Sequence, residues 1–135
     1  MDSGKFLLDT HSLLWSEDNV KSLSGNAFEI ISDPNHDIYF SQISLFEVAI
    51  KQAVGKLPDL KVNIEELYNQ AIKADFKFLP LENRHILSYS QVPLYQNHKD
   101  PFDRILVAQA ISENLPIITI DPKFKSYSDL VKVIW

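Results

Sequence analysis

The sequence predicts an α/β fold in three layers, an α/β/α sandwich with a mostly parallel central sheet. Three observations predict it. Short apolar segments alternate with longer segments of helical periodicity. At 135 residues, with 45% hydrophobic and 23% charged side chains, the chain has the size and composition of one domain that buries a real core. No repeat, low-complexity tract or linker interrupts it, so a single domain over residues 1–135 is expected.

The elements follow in order. Residues 5–9 form a short apolar strand closed by Asp9, and residues 11–16 begin a helical turn. Residues 22–31 read as a helix, with Leu23, Phe28 and Ile31 apolar and Asp33-Pro34 as the stop. Residues 37–41 are a second strand. Residues 44–54 are a helix that ends at Gly55, a C-terminal cap. Ile64, Leu67, Ala71 and Ala74 recur at helical spacing over residues 63–74. A third strand covers 76–81, a helix 82–91 and a loop 92–99. Residues 101–114 are a helix with Ile105, Ala108 and Ile111 on one face. A fourth strand covers 116–120, and residues 131–134 form a short edge strand. In such sheets ligands bind outside the carboxyl ends of the strands. Asp9 and Asp121 both sit at predicted strand ends.

Composition narrows the chemistry. There is no cysteine, which excludes disulfides and thiolate zinc sites and fits a reducing, cytoplasmic location. The apolar run Phe6-Leu7-Leu8 stops at once on Asp9, so no signal peptide is expected, and no stretch nears the roughly 20 apolar residues of a membrane span. The formal net charge of −5 looks unsuited to a nucleic-acid partner. Setting aside Asp9, Glu47, Asp103 and Asp121, however, 14 of the 18 acids remain against 13 bases. Two bound divalent ions would offset the same four charges. The acidity then belongs largely to one site and leaves RNA open as a partner.

Those four acids are far apart in sequence, and each borders an element that can carry it to one rim of the sheet. Gathered together they repel, and need a cation; Mg²⁺ or Mn²⁺ favours hard oxygen donors. Hydrolysis of a phosphodiester is the chemistry such a site suits. Each acid also has a purely structural reading. Asp9 can cap the turn that follows it. Ser44-Leu45-Phe46-Glu47 matches a capping box, with Glu47 bonding back to the cap amide. Asp100 followed by Pro101 reads as an N-cap, which puts Asp103 in the first helical turn, where the helix dipole favours a negative charge. Asp121-Pro122 repeats the cap-and-proline pattern. The two readings are compatible, because the partial positive charge of a helix start lowers the cost of collecting carboxylates there.

Other chemistries find less support. His11, His36, His85 and His98 show no metal-binding spacing, Ser12, Ser41 and Ser44 lack the G-x-S-x-G elbow, and three glycines make no phosphate loop. A haloacid-dehalogenase-type phosphatase would carry a second Asp two residues after Asp9, where His11 stands. Trp15 and Trp135 read as core or interface residues.

With these motifs in hand, the chain resembles the PIN-domain family, and within it the VapC-like toxins of bacterial type II toxin–antitoxin systems. The matching stretches are F-L-L-D-T-H-S-L-L-W (6–15), I-S-L-F-E-V-A-I-K (43–51), H-K-D-P-F-D-R-I-L-V-A-Q-A (98–110) and I-I-T-I-D (117–121). The resemblance implies a metal-dependent ribonuclease whose acidic quartet falls on Asp9, Glu47, Asp103 and Asp121. Asp9 and Asp103 would be direct ligands of Mg²⁺ or Mn²⁺, Glu47 would ligate the cation or orient the attacking water, and Asp121 would complete the set. Asp100 matches an accessory acid, Thr10 the small polar residue beside the first acid, and Thr119 the hydroxyl near the last. Ile120 departs from the family, whose members often carry a polar or basic residue there. Arg104, Lys99, Lys51 and Lys123 are candidates for the RNA backbone, with solvated surface charge as the alternative for Lys51 and Lys123. The resemblance further implies an RNA substrate, a cognate antitoxin and a homodimer. Two other classes stay open: a non-catalytic module that holds a basic partner segment in the acidic cleft, and a DNA nuclease or phosphatase of related architecture.

Overall fold

The structure, a computed structural model, describes residues 4–135. The reading that no signal peptide opens the chain falls partly on Met1, Asp2 and Ser3, which lie outside the described residues.

Strands β1 (Lys5–Leu8), β2 (Asp37–Ser41), β3 (Lys77–Leu79), β4 (Ile117–Ile118) and β5 (Val133–Ile134) form one sheet in the order β3-β2-β1-β4-β5. Every pairing within it is parallel. The helices are α1 (Thr10–Asp18), α2 (Gly25–Ser32), α3 (Gln42–Ala53), α4 (Ile64–Lys73), α5 (Asn83–Ser88) and α6 (Pro101–Glu113). Tighter 3₁₀ turns cover Val20–Ser22, Tyr89–Gln91 and Pro122–Tyr127.

The strands are nearly continuous apolar runs because helices cover both faces of the sheet. Side chains alternate between two cores. Leu7 and Ile117 join one core, with Ile105, Leu106 and Val107 of α6. Phe6, Leu8 and Ile118 join the other, with Leu13 of α1, Ala27 of α2 and Ala71 of α4. Neighbouring residues of β1 and of β4 thus point in opposite directions, the period of a strand. Burying each large side chain contributes about 1.5–3 kcal/mol. The result is the three-layer α/β/α architecture the alternation predicts.

Local chemistry moves some boundaries. The helix expected from residue 44 begins at Gln42, because the Ser41 side chain caps it and accepts from the Ile43 amide at 3.0 Å. Ser44 is therefore inside the helix, and Glu47 belongs to no capping box. The helix expected from residue 22 begins at Gly25, with Ser24 as its cap. Helix α3 does end before Gly55, whose φ of +72° favours a residue without Cβ. The short β5 lies at the sheet edge as expected. Among the described residues no helix is long and apolar enough to cross a membrane.

The strand order places a site. The chain winds outward from β1 through β2 to β3, then returns to pair β4 with the other side of β1. The winding direction reverses between β1 and β4, and a crevice opens beyond their carboxyl ends at such a point. The residues there are Asp9, Thr10, Thr119 and Asp121.

Candidate functional site

A cleft of about 200 Å³ lies at this reversal. Asp9, Glu47, Asp100, Asp103 and Asp121 line it, together with Lys51, Lys99 and Lys123. All four acids of the expected quartet are therefore brought to one place. Each arrives on a different element: Asp9 from the end of β1, Glu47 from α3, Asp103 from the first turn of α6, and Asp121 from the turn after β4.

Asp9 is buried and caps α1, with Oδ1 accepting from the Ser12 amide at 2.8 Å. Its Oδ2 accepts from the Thr119 hydroxyl at 2.6 Å. The same Thr119 oxygen accepts from the Asp121 amide at 3.1 Å. Thr119 thus ties the first acid to the last. Its neighbour Ile120 is 46% exposed and leaves this bridge intact, despite its departure from the family pattern. Asp121 caps the turn Pro122–Tyr127 by accepting from the Lys123 amide at 2.9 Å.

Glu47 is buried on α3. Thr10 donates to its Oε1 at 2.7 Å, and Lys51 holds its Oε2 at 2.6 Å. Thr10 Oγ1 also lies 3.0 Å from Ser44 Oγ. The two threonines therefore each support a different acid. Asp100 caps α6 through the Phe102 amide at 2.9 Å, with Pro101 at the first helical position. Asp103 Oδ2 lies 3.1 Å from His98 Nε2.

The electrostatics of the cleft are strained. Burial pushes Asp9 above the ordinary carboxylate range, although hydrogen bonds from Thr119 and Ser12 oppose it. Burial raises Asp103 to about 6; the His98 hydrogen bond opposes this, and the charges of Asp100 and Glu47 add to it. Oxygen donors crowd together and their charges are only partly met. Among the described residues no three His, Asp or Glu groups already converge as a ligand set. Internal partners occupy them instead: Lys51 on Glu47, His98 on Asp103, and backbone amides on Asp9 and Asp121.

The basic candidates divide. Lys99 and Lys123 are exposed at the cleft, and Lys51 lines it while paired to Glu47. Arg104 is not at the cleft, which corrects the expectation from its place beside Asp103. Consecutive helical residues diverge by about 100°, so Arg104 turns inward where Asp103 turns out. It is buried, donates to the carbonyls of Val92 and Pro93 and to the Tyr89 hydroxyl, and so pins the loop before α6.

Sequence reasoning missed His98 as part of the site, because it weighed histidines only as zinc ligands. Its position five residues before Asp103, at the head of H-K-D-P-F-D-R, was the available signal. His11 also lines the cleft.

The PIN domain family matches residues 6–130. Among solved structures, VapBC2 from Rickettsia felis bound to a DNA fragment from its promoter is similar over 97% of this chain and 98% of its own, with 19% identity and a TM-score of 0.68. FitAcB from Neisseria gonorrhoeae is similar over 96% of both chains, with 20% identity and a TM-score of 0.63. VapBC-5 from Mycobacterium tuberculosis, of the VapBC family of toxin–antitoxin systems, matches over 97% of this chain and 98% of its own at 16% identity and a TM-score of 0.58. At these identities the structural likeness speaks for the fold. Among curated proteins no match was found.

Proposed function

The chain belongs to the PIN-domain family, and from that premise we propose that it is a divalent-metal-dependent endoribonuclease, the toxin of a toxin–antitoxin pair, built as one PIN-like domain. One observation carries the reading: five carboxylates from four parts of the chain line a single cleft at the winding reversal of the sheet. A stable fold gains nothing from collecting like charges, so a ligand of opposite charge is the natural reason for them.

The donor chemistry fits Mg²⁺ or Mn²⁺. The set is all oxygen, with no thiolate, and burial has left Asp9 and Asp103 short of compensating charge. Asp9, Asp103, Glu47 and Asp121 would hold the cation. Bound there, it would acidify the attacking water and stabilise the leaving 3′ oxygen of the RNA.

The chain's own residues do the rest. Thr119 fixes the rotamer of Asp9 and, through the Asp121 amide, the start of the fourth acid's turn. Thr10 orients Glu47, leaving its Oε2, now on Lys51, as the oxygen that can be released to the cleft. Lys51 would then be free to meet a phosphate, alongside Lys99 and Lys123 at the cleft. Asp100 adds negative potential beside Asp103 and caps the helix that presents it.

A second reading has its own support. Lys51 Nζ already sits on Glu47 at 2.6 Å, so the cleft accepts a basic group. An antitoxin that inserted a basic side chain would use the same contact and block the site. The solved relatives include a toxin–antitoxin complex from Klebsiella pneumoniae, and we extend an antitoxin partner to this chain on that likeness; a homodimer is proposed from the family resemblance alone.

The test is direct. Purified protein should cleave RNA with Mg²⁺ or Mn²⁺, stop with EDTA, and lose activity in Asp9→Asn. Single-stranded DNA and a phosphate monoester run beside the RNA decide between a ribonuclease, a DNA nuclease and a phosphatase. Equal cleavage by Asp9→Asn would sink the assignment. Tight binding of a basic peptide with no divalent-ion binding by calorimetry would favour the non-catalytic module.

A further inference from the structure

We propose that His98 is the positioning residue that holds Asp103 for the divalent cation and locks it to the segment beginning at Asp121. This rests on the metal-dependent reading above. His98 is buried, with Nε2 3.1 Å from Asp103 Oδ2. With Asp103 ionised, Nε2–H donates to that oxygen. No described hydrogen bond goes to Oδ1, so the donor restrains the carboxylate by one oxygen and leaves the other uncommitted.

The ring is held from behind. Its centroid lies 5.1 Å from that of Phe124 and 5.2 Å from that of Tyr127. Both belong to the turn Pro122–Tyr127, which Asp121 caps. One side chain thus touches the acid at the head of α6 and the element that follows the fourth acid. Asp103 and Asp121 are 18 residues apart in the numbering of the chain, and His98 is a physical link between them.

The other nitrogen shows what the histidine is for. Nδ1 is buried and has no hydrogen-bond partner among the described residues. A buried polar atom left unpaired is destabilising, because it loses its hydrogen bonds to water and gains none in return. Phenylalanine would fill the same aromatic box without that penalty. What histidine adds over phenylalanine is the Nε2–H on Asp103. A local cost retained beside a cleft is the pattern of a residue kept for the site, not for packing. Residues that orient metal-binding carboxylates act in this way on cation affinity.

The experiment compares wild type, His98→Phe and His98→Gln. Phenylalanine keeps the ring packing and removes the donor, whereas the glutamine amide can again donate to Asp103. Calorimetric Mn²⁺ titration should show binding to the wild type, about 10- to 100-fold weaker binding to His98→Phe, and most of the affinity recovered in His98→Gln. In RNA cleavage, His98→Phe should need more Mn²⁺, regain its rate when Mn²⁺ is in excess, and keep the KM for RNA. A His98→Phe protein that melts cooperatively and binds Mn²⁺ as tightly as the wild type overturns the proposal. A wild type that binds no divalent ion overturns the reading beneath it instead. Should His98→Phe not fold, ¹⁵N signals of the wild-type imidazole decide. A proton on Nε2 and a shift on adding Mg²⁺ support the role; a proton on Nδ1, or signals that Mg²⁺ binding leaves unmoved, overturns it.

Discussion

Helix α6 has an acid near each end, and the two ends are opposites. At its start, Asp103 faces Asp100 and Glu47, and burial with these like charges lifts it to about 6 against the His98 hydrogen bond. At its finish, burial alone would raise Glu113, but hydrogen bonds from Arg84 at 2.7 Å and His85 at 2.8 Å outweigh it and hold Glu113 below the ordinary range. The helix dipole favours an acid at the start and opposes one at the finish, by about 0.3–1 kcal/mol. Both shifts run against the dipole, so local partners decide. The finish is a settled charge cluster that serves stability. The start is left unsettled, as a site that awaits a cation would be.

The contrast is sharpest in paired substitutions. Asp103→Asn should lower RNA cleavage by about four orders of magnitude, the scale for removing one member of a cooperating set, while leaving the metal-free protein at least as stable as the wild type. His85→Ala should do the reverse. It strips a fully buried ring from Glu113, the Glu82 amide and Gln109, and should cost about 2–3 kcal/mol without changing Mn²⁺ affinity. Denaturant melts and calorimetry on the two variants check this; a shared loss of both stability and cation affinity would erase the distinction.

Acid titration separates the ends next. The folded-state pKa of Asp103 lies above its ordinary 3.8, so the folded protein takes up this proton first. Metal-free stability should therefore rise, by about 1.4 kcal/mol, as pH falls from 7.5 to 5. Glu113 has the opposite sign. Its contribution is present above its ordinary 4.5 and is lost as pH falls through the lowered folded value. A stability maximum below pH 5 in EDTA should result. Saturating Mg²⁺ should abolish the gain on acidification, because it binds the deprotonated ligands. Stability that fell steadily from pH 7.5 in EDTA would contradict the strained state of Asp103.

The smallest effects concern the bases. Lys99→Ala should weaken RNA binding several-fold and lower its salt slope by about 1. Arg104→Lys should loosen the loop it pins and leave the salt slope unchanged. Binding measured across a salt series distinguishes them.

Much of the site was legible because its acids act locally as well as at a distance. Asp9, Asp100 and Asp121 carry the cap-and-turn patterns that a sequence displays, and the structure places each at such a cap. Glu47 was legible as an acid but not in its local role. S-Q-I-S holds two serines three residues apart, and only the end of β2 decides that Ser41 is the cap. Arg104 misled because adjacency in sequence is divergence on a helix. His98 was hidden for a different reason: its partners Phe124 and Tyr127 lie beyond α6, and nothing local signals that they meet it.

The place of β1 at the centre of the sheet has a consequence for synthesis of the protein. β1, β2 and β3 can pair as soon as the first part of the chain has emerged, and Asp9 and Glu47 come with them. The other side of β1 waits for β4: the Leu7 amide needs the Pro116 carbonyl, at 2.8 Å, and the Asp9 amide needs that of Ile118, at 3.1 Å. Until then that edge is open to wrong partners, and Thr119 and Asp121 are missing from the cleft. The acids are thus divided between the first half of the chain, with Asp9 and Glu47, and its last third, with Asp103 and Asp121, and a half-made molecule cannot yet assemble the set.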